Sequence, residues 1–232
     1  MIDVRALRKE YPVGDESVVA LERIDLAVPR GQICCIFGES GSGKSTLLNQ
    51  LAGLEKPTRG SVRIGGVPVS SLNERELAVF RQRHLGFVFQ SYNLLPTLNA
   101  VENVAMPLMF RGVSRQRRER AARAMLERVG LKGRMGHYPA QMSGGQQQRV
   151  GIARAFIAGP QVVFADEPTG NLDPDTSAEI MALLTRINRG GTTVVMSTHD
   201  DVAVDSMRKR VLELHNGKLV RDDAHGVYAV GR

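Results

Sequence analysis

The spacing of apolar residues predicts that the chain begins with antiparallel strands. Residues 2–6 alternate between apolar and polar, and residues 18–28 form a second strand-like segment. Residues 32–37 instead run apolar without alternation, which is typical of a strand buried on both faces. Leucines then recur at helical spacing over 45–54. The pattern therefore predicts a buried strand that leads through a short loop into a helix.

Further along, short apolar runs alternate with amphipathic segments. The runs predict strands over 85–89, 161–165, 192–197, 211–214 and 218–221. Helices are predicted over 71–83, 97–129, 145–158, 175–188 and 200–207. Ser71 and Glu74 have capping-box spacing, Pro107 and Gly112 are expected to interrupt the second helix, and Asn216-Gly217 predicts a hairpin turn between the last two strands. Strands that alternate with helices predict an α/β fold with a mostly parallel sheet.

The loop between the first buried strand and its helix carries a phosphate-binding motif. Residues 38–46 match G-x-x-x-x-G-K-[ST] in the strand and helix context that the motif requires. Glycines let successive N–H groups curl round phosphates, Lys44 can reach the β- and γ-phosphates, and the Ser45 hydroxyl can bind Mg²⁺. The candidate nucleotide-binding residues here are Gly38, Ser40, Gly41, Ser42, Gly43, Lys44, Ser45 and Thr46.

A second candidate phosphate-binding segment lies about 100 residues later. Ser143, Gly144, Gly145 and Gln146 stand where a helix is predicted to begin. A helix start binds anions because its first N–H groups lack partners and its dipole is positive there. The chain thus has two phosphate-binding segments, although one nucleotide needs only the first. We therefore infer that the second segment binds the ATP of another copy of the chain.

Two adjacent carboxylates follow the buried strand 161–165. Asp166 and Glu167 are expected at the carboxyl edge of the sheet, where ligands of open α/β sheets bind. Asp166 can hold Mg²⁺ through water, and Glu167 can polarise an attacking water molecule. Together with the phosphate loop, this pair predicts hydrolysis of a nucleotide.

This ordered set of motifs resembles the nucleotide-binding subunit of an ABC transporter. The resemblance rests on the phosphate loop, Gln90, 142–146, Asp166-Glu167, 171–173 and His199. It implies an α/β fold: a RecA-like P-loop ATPase core with an antiparallel β lobe and a helical lobe at about 91–158, all in a single domain over 1–232. It also implies ATP and Mg²⁺ as cofactors and a head-to-tail homodimer that forms on ATP binding.

The resemblance further implies a role for each matching position. Tyr11 would stack on adenine, Gln90 would contact Mg²⁺ and transmit the nucleotide state, and His199 would sense the γ-phosphate. Ser143 and Gly145 would bind the other subunit's γ-phosphate, and Asp173 would lie across the dimer seam. The implied catalytic residues are Glu167, His199 and Gln90, and the implied metal ligands are Ser45, Gln90 and Asp166. The chain departs from the pattern with Met142 for leucine and Glu39 for a common proline.

The composition of the chain limits its possible partners and its cellular compartment. The net charge is +7, and arginines concentrate over 111–123 on a predicted amphipathic helix, which fits a solvated face, a membrane surface or nucleic acid. Cys34 and Cys35 lie in a predicted buried strand, which indicates reduced thiols. Because no apolar run approaches the ~18 residues that span a bilayer, we expect a chain that is neither secreted nor membrane-spanning.

Two groups of segments indicate which kind of transporter the chain resembles. Residues 92–97 with 102–104, and 167–173, resemble the ATPases MacB and LolD, whose permeases transmit motion across the membrane. Residues 204–208, 219–223 and 226–228 resemble FtsE, the division ATPase that acts through FtsX, although Ser91 departs from that pattern. We therefore expect an integral membrane partner of the MacB, LolC/LolE or FtsX kind, and a place on the cytoplasmic face of the inner membrane. A soluble ABC ATPase acting on nucleic acid is the remote alternative, and no nucleic acid partner is expected.

Overall fold

The computed structural model describes residues 1–226, apart from the Ala203 side chain. Its strands are β1 (Ile2–Val13), β2 (Glu16–Val28), β3 (Ile33–Phe37), β4 (Arg59–Ile64), β5 (Val67–Pro68), β6 (Leu85–Val88), β7 (Val162–Asp166), β8 (Thr193–Thr198), β9 (Arg210–His215) and β10 (Lys218–Asp223). Its helices are α1 (Lys44–Leu51), α2 (Glu74–His84), α3 (Ala100–Phe110), α4 (Arg115–Arg128), α5 (Gly144–Phe156), α6 (Pro174–Asn188) and α7 (Asp201–Met207). Val227 and Tyr228, which the FtsE resemblance used, lie outside the described residues.

The chain divides into two compact units, of which the first comprises residues 1–81 and those from 193 onward. One sheet of this unit is antiparallel, in the order β2-β1-β4-β5. A second set of strands lies in the order β10-β9-β3-β8, with β3 parallel to both of its neighbours. All five residues of β3 are buried, which explains why its sequence is apolar without alternation. The predictions of an antiparallel start and a doubly buried strand are confirmed.

The second unit comprises residues 82–192. Here β6 and β7 pair in parallel, and α3 packs against both α4 and α5. The three helices lie within the range predicted for a helical lobe, and the buried residues of α4, Ala122 and Leu126, form its apolar stripe. Arg117, Arg120 and Arg123 lie on the exposed side of α4.

Two details of the predicted helices are wrong. The capping box of α2 is formed by Asn73 and Glu76, whose side chains each accept from the other's backbone N–H, rather than by Ser71 and Glu74. Ser71 ends a short 3₁₀ turn, and its hydroxyl donates to the Pro68 carbonyl. Pro107 does not interrupt α3, which continues to Phe110.

Gly112 provides the actual end of α3. Its N–H donates to the Met109 carbonyl, and the next N–H, of Val113, donates to the Leu108 carbonyl. This is the Schellman pattern, which needs a left-handed residue, and Gly112 has φ +73°. The break between α3 and α4 therefore arises from the glycine and not from the proline.

The two cysteines are buried free thiols in β3. Burial raises the pKa of the Cys35 thiol to about 12, so this thiol stays protonated and inert. Across the described part of the chain, no helix combines the length and apolarity needed to cross a bilayer.

Candidate functional site

The phosphate loop of the first unit leads from β3 into α1. Lys44 is the first residue of α1, and its side chain is only 6% exposed. Its Nζ donates to the Gly38 carbonyl at 2.8 Å and to the Glu39 carbonyl at 2.9 Å. Lys44 thus folds back across the loop, and its ammonium group lies over the backbone that is expected to hold phosphates.

Close packing explains two of the loop glycines. A Cβ on Gly38 would lie 2.4 Å from the Leu214 carbonyl oxygen, and a Cβ on Gly43 would lie 2.7 Å from the Ala20 carbonyl oxygen. Both residues also have φ in the left-handed region. Ser42 is buried, and its Oγ has no hydrogen-bond partner among the described residues. The loop therefore combines a tightly held backbone with an unpaired polar atom.

The less buried members of the motif are Glu39, Ser40, Gly41, Gly43, Ser45 and Thr46. Gly41 has φ +79° with open space around its Cα, so its glycine is required by conformation rather than by packing. Ser45 lies exposed in the first turn of α1. These positions leave the outer side of the loop accessible to a ligand.

Tyr11 lies beside the end of this motif. Its hydroxyl donates to Glu55 Oε2 at 2.5 Å, and the Lys9 ammonium lies 4.8 Å from its ring centroid. Burial, then the hydrogen bond to Glu55, raises the pKa of the Tyr11 hydroxyl, while a hydrogen bond with the Thr46 side chain opposes the rise. Contacts within its own unit therefore hold the Tyr11 ring in place.

His199 leaves the sheet at the same edge as the phosphate loop. Phe37 of β3 pairs with Thr198 of β8 in parallel register, and Gly38 and His199 are the next residue on each strand. His199 is exposed, and the Thr198 hydroxyl oxygen accepts from the Asp200 N–H. The first unit therefore brings together the phosphate loop, Tyr11 and His199 at or near one edge.

The second unit brings Gln90 and Glu167 together. Val88 of β6 pairs with Ala165 of β7. Gln90 lies two residues after Val88, and Glu167 lies two residues after Ala165. A Cβ on Gly170 would lie 2.8 Å from Gln90 Nε2 and 3.2 Å from Glu167 Oε2, so both side chains lie against this glycine. Asp166 ends β7 just before Glu167.

The loop around Glu167 has an unusual backbone. Glu167 has φ +42°, a left-handed conformation that costs a non-glycine residue about 1–2 kcal/mol. Asn171 and Gln90 form a reciprocal pair, in which Asn171 Nδ2 donates to the Gln90 carbonyl and Gln90 Nε2 donates to Asn171 Oδ1. Such strain is typical of functional sites, where surrounding contacts over-determine the backbone.

The predicted anion site at the start of α5 is a helix N-terminus with a complete capping box. Ser143 Oγ accepts from the Gln146 N–H, and Gln146 Oε1 accepts from the Ser143 N–H, both at 3.3 Å. The hydroxyl hydrogen of Ser143 can therefore still be donated outward. A Cβ on Gly144 would lie 2.7 Å from the Tyr92 hydroxyl, and one on Gly145 would lie 2.5 Å from Thr176 Cγ2. Both glycines therefore lie in close contact with side chains of this unit.

Asp173 caps another helix in the same unit. Its Oδ1 accepts from the Thr176 N–H at 3.0 Å, at the start of α6. This backbone hydrogen bond, followed by one with the Thr176 side chain, lowers the pKa of the Asp173 carboxyl. Asp173 is exposed, so it can also meet another molecule.

Sequence reasoning missed two residues of α5 that hold these loops. The buried Gln148 amide donates to the carbonyls of Phe89 and Pro168. Arg154 donates to the carbonyls of Tyr92 and Asn93, which both have left-handed φ. Burial lowers the pKa of the Arg154 guanidinium. A polar residue on the buried side of an amphipathic helix is the one sequence signal that could have marked Gln148.

Comparisons with known proteins identify the family of the chain. A family model described as ABC transporter matches residues 21–170. The macrolide export ATP-binding/permease protein MacB of Rhodopseudomonas palustris (strain HaA2) is 48% identical over 221 residues, which are 95% of this chain and 34% of that protein. The ABC transporter ATP-binding protein YtrE of Bacillus subtilis (strain 168) is 46% identical over 224 residues, covering 94% of this chain and 96% of YtrE.

A solved structure supports the fold directly. The ATP-binding cassette MJ0796, in a dimeric post-hydrolysis state bound to ADP and Pi, matches with a TM-score of 0.89 and 40% sequence identity. The match covers 97% of this chain and 99% of that one. The α/β fold with an antiparallel β lobe is therefore the ABC ATPase fold. With a family match over most of its length, this protein belongs to the ABC transporter family, as one of its ATP-binding and ATP-hydrolysing domains.

Proposed function

We propose that two copies of this chain close around ATP and Mg²⁺ and thereby drive a membrane permease. The observation that carries the proposal is the phosphate loop, where the buried Lys44 ammonium lies over the loop carbonyls. Ser42 Oγ adds a buried polar atom without a partner among the described residues, which is what an anion-binding loop offers a ligand. The residues present therefore fit a nucleotide phosphate.

Oxygen donors of the chain suit Mg²⁺ as the metal. We assign Ser45, Gln90 and Asp166 to it, because Mg²⁺ prefers hydroxyl, amide and carboxylate oxygens together with phosphate and water. Within residues 1–226 no cluster of three or more His, Cys, Asp or Glu side chains could hold a metal ion. Bound Mg²⁺ supplies charge neutralisation at the β- and γ-phosphate oxygens.

The chain's own residues then act on the γ-phosphate. Glu167 accepts a proton from the attacking water, and the neighbouring Gln90 orients that water and senses the nucleotide state. His199 donates a hydrogen bond to the γ-phosphate, and Tyr11 stacks on the adenine ring. The proximity of Gln90 and Glu167 at Gly170 supports a joint role for these two.

The second phosphate-binding segment, at residues 143–146, contacts the ATP that the other copy binds. The Ser143 hydroxyl and the Gly145 N–H contact the γ-phosphate held by the partner chain, while Gly144 and Gln146 shape the helix start and Asp173 lies at the seam. Hydrolysis removes the γ-phosphate contact, so the closed dimer loses the interaction that favoured it. The dimeric state of MJ0796 supports this arrangement.

A permease of the MacB type is the membrane partner that the relatives favour. MacB of R. palustris is named as an ATP-binding/permease protein, and this chain matches 34% of its length. We accordingly assign the chain to the cytoplasmic face of the inner membrane, where it would bind a separate or covalently attached permease. Conformational change in the ATPase would be transmitted to that permease.

The first test is Glu167→Gln, measured by phosphate release and by size-exclusion chromatography with ATP and Mg²⁺. We expect ATP binding to persist, hydrolysis to fall at least about 100-fold and a stable dimer to accumulate. The control Glu127→Gln changes an exposed carboxylate of the same unit that pairs with Lys132, and it should behave as the unmodified protein. Near-normal turnover in Glu167→Gln would contradict the role of Glu167, and elution that is unaffected by ATP would contradict the dimer.

A further inference from the structure

One buried amide joins the two loops that carry Gln90 and Glu167. Gln148 lies in α5 with 0% of its surface exposed. Its Nε2 donates to the Phe89 carbonyl at 3.3 Å and, over a shorter distance, to the Pro168 carbonyl. Each hydrogen of the amide nitrogen therefore reaches a different loop.

The two acceptors directly adjoin the proposed catalytic groups. Phe89 is the residue before Gln90, and Pro168 is the residue after Glu167. Beyond the paired residues Val88 and Ala165, the strands β6 and β7 no longer hold these segments by ladder hydrogen bonds. The Gln148 amide thus holds the loops where the sheet stops holding them.

The chemistry of the contact suits an amide nitrogen. Both partners are carbonyl oxygens, so the side chain must supply two N–H hydrogens to satisfy them together, and the amide nitrogen of Gln148 carries two. Rotating the amide would place Oε1 against both carbonyls, which fixes the nitrogen on the loop side. Oε1 itself is buried and has no partner among the described residues, so the amide is oriented by its two donor bonds.

We propose that Gln148 is a positioning residue that sets the distance between Gln90 and Glu167. The inference rests on the proposed function of those two residues. Ser143 caps α5, and Gln148 lies within that helix. One helix therefore connects Ser143, which is proposed to contact the partner's ATP, with the amide that holds the loops of Gln90 and Glu167. Displacement of α5 would therefore move both loops together.

Loss of the amide should slow hydrolysis without weakening ATP binding. The phosphate loop belongs to the other unit. Gln148 instead holds the loops of Gln90 and Glu167, and a displacement of about 1 Å at catalytic groups can cost up to about 100-fold in rate. A purely structural residue would instead lower the folded fraction, which reduces the apparent kcat of the whole sample and leaves KM unchanged. The kcat is therefore calculated per folded, ATP-binding site, and a loss that remains after this normalisation indicates the positioning role.

The test is Gln148→Met, which keeps the length of the side chain and removes both donors. We expect kcat for ATP to fall at least about tenfold with KM within about threefold of the unmodified protein. The matched control is Gln50→Met, since Gln50 in α1 is also buried, at 1% exposed, but its amide makes no hydrogen bond with the described residues. Gln50→Met should leave kcat and KM unchanged, and an equal loss of kcat in both variants would overturn the inference.

A second variant and a double variant complete the design. Gln148→Asn keeps the amide on a side chain that is one methylene shorter, and it provides a milder change if Gln148→Met does not fold. It should retain ATP binding and lose part of kcat, and unchanged kcat in a folded Gln148→Asn protein would overturn the inference. Adding Gln148→Met to Glu167→Gln should cause little further loss, because both act on one step. If Glu167→Gln loses hydrolysis while Gln148→Met has a normal kcat, the positioning role is rejected and the proposed function is retained.

Discussion

Gly217 shows how a turn residue can support a phosphate loop that is distant in sequence. Its N–H donates to the Ser42 carbonyl at 3.0 Å, and its own carbonyl accepts from the Glu22 N–H at 2.8 Å. Gly217 has φ +73°, and a Cβ there would lie 2.6 Å from the Ala20 carbonyl oxygen. The turn between β9 and β10 therefore connects β2 with the backbone of the phosphate loop.

We expect Gly217→Ala to damage both stability and nucleotide binding. A left-handed alanine and the close contact together should lower the free energy of unfolding by about 2–4 kcal/mol, and the displaced Ser42 backbone should weaken ATP binding. Gly14→Ala is the matched control, because Gly14 has φ +61° in open space and should cost only about 1–2 kcal/mol. Urea denaturation and titration with a fluorescent ATP analogue measure both effects, and equal losses in the two variants would contradict the account.

The Asp173 carboxyl makes stability depend on pH in a defined direction. The Thr176 N–H lowers the pKa of this carboxyl in the folded state, so its stabilising effect is present above its unfolded pKa of about 3.9. The effect is lost as pH falls through the lowered folded pKa. An asparagine at this position would cap the helix without titrating, so Asp173→Asn should lose less stability than the unmodified protein between pH 5 and pH 3 in denaturation curves. A steeper loss in the variant would contradict this origin.

Local sequence patterns identified the residues whose chemistry is local. The spacing of Gly38, Gly43 and Lys44 specifies a loop between a strand and a helix, and the structure has that loop. The contacts of Gln148 and Gly217 could not be found in this way. Phe89 lies 59 positions from Gln148, and Ser42 lies 175 positions from Gly217. Which backbone carbonyl lies opposite a side chain is decided by packing, and a single sequence does not record it.

Helix boundaries show a similar limit. Ser71-x-x-Glu74 and Asn73-x-x-Glu76 both have capping-box spacing. The second forms the box, and Ser71 instead belongs to the preceding 3₁₀ turn. Pro107 removes one helical N–H from α3, yet contacts with α4 and α5 hold the helix through it. Residue type therefore predicts that a helix exists more reliably than where it begins or ends.

The capping box at Ser143 separates a structural role from a functional one. Ser143→Ala should lower the free energy of unfolding by about 1 kcal/mol through loss of the cap. Asn99→Ala is the matched control, since Asn99 and Glu102 form the same box at the start of α3. Both variants should lose similar stability in thermal or urea unfolding. ATP-dependent dimerisation in the Glu167→Gln background should weaken only in Ser143→Ala, and equal weakening would leave Ser143 with a capping role alone.

In the proposed function, each ATP site is completed by residues of two copies of the chain. The rate of hydrolysis should therefore depend on protein concentration. If one chain's Lys44 and another chain's Ser143 complete each site, the active species is a dimer, and its amount depends on chain concentration by mass action. Hydrolysis per chain should then rise with protein concentration and reach a plateau. A site contained in one chain would give a constant rate per chain.

The decisive comparison uses two copies of the chain joined by a long flexible Gly/Ser linker. A linker that spans the two copies gives each an effective concentration of its partner that does not depend on dilution. The joined protein should therefore keep the plateau rate per site where the separate chains have lost it. Introducing Glu167→Gln into both copies should abolish that rate, which shows that it comes from these sites. A rate per chain that stays constant at dilutions where size-exclusion chromatography shows only single chains would mean that Ser143 takes no part in the site of another copy.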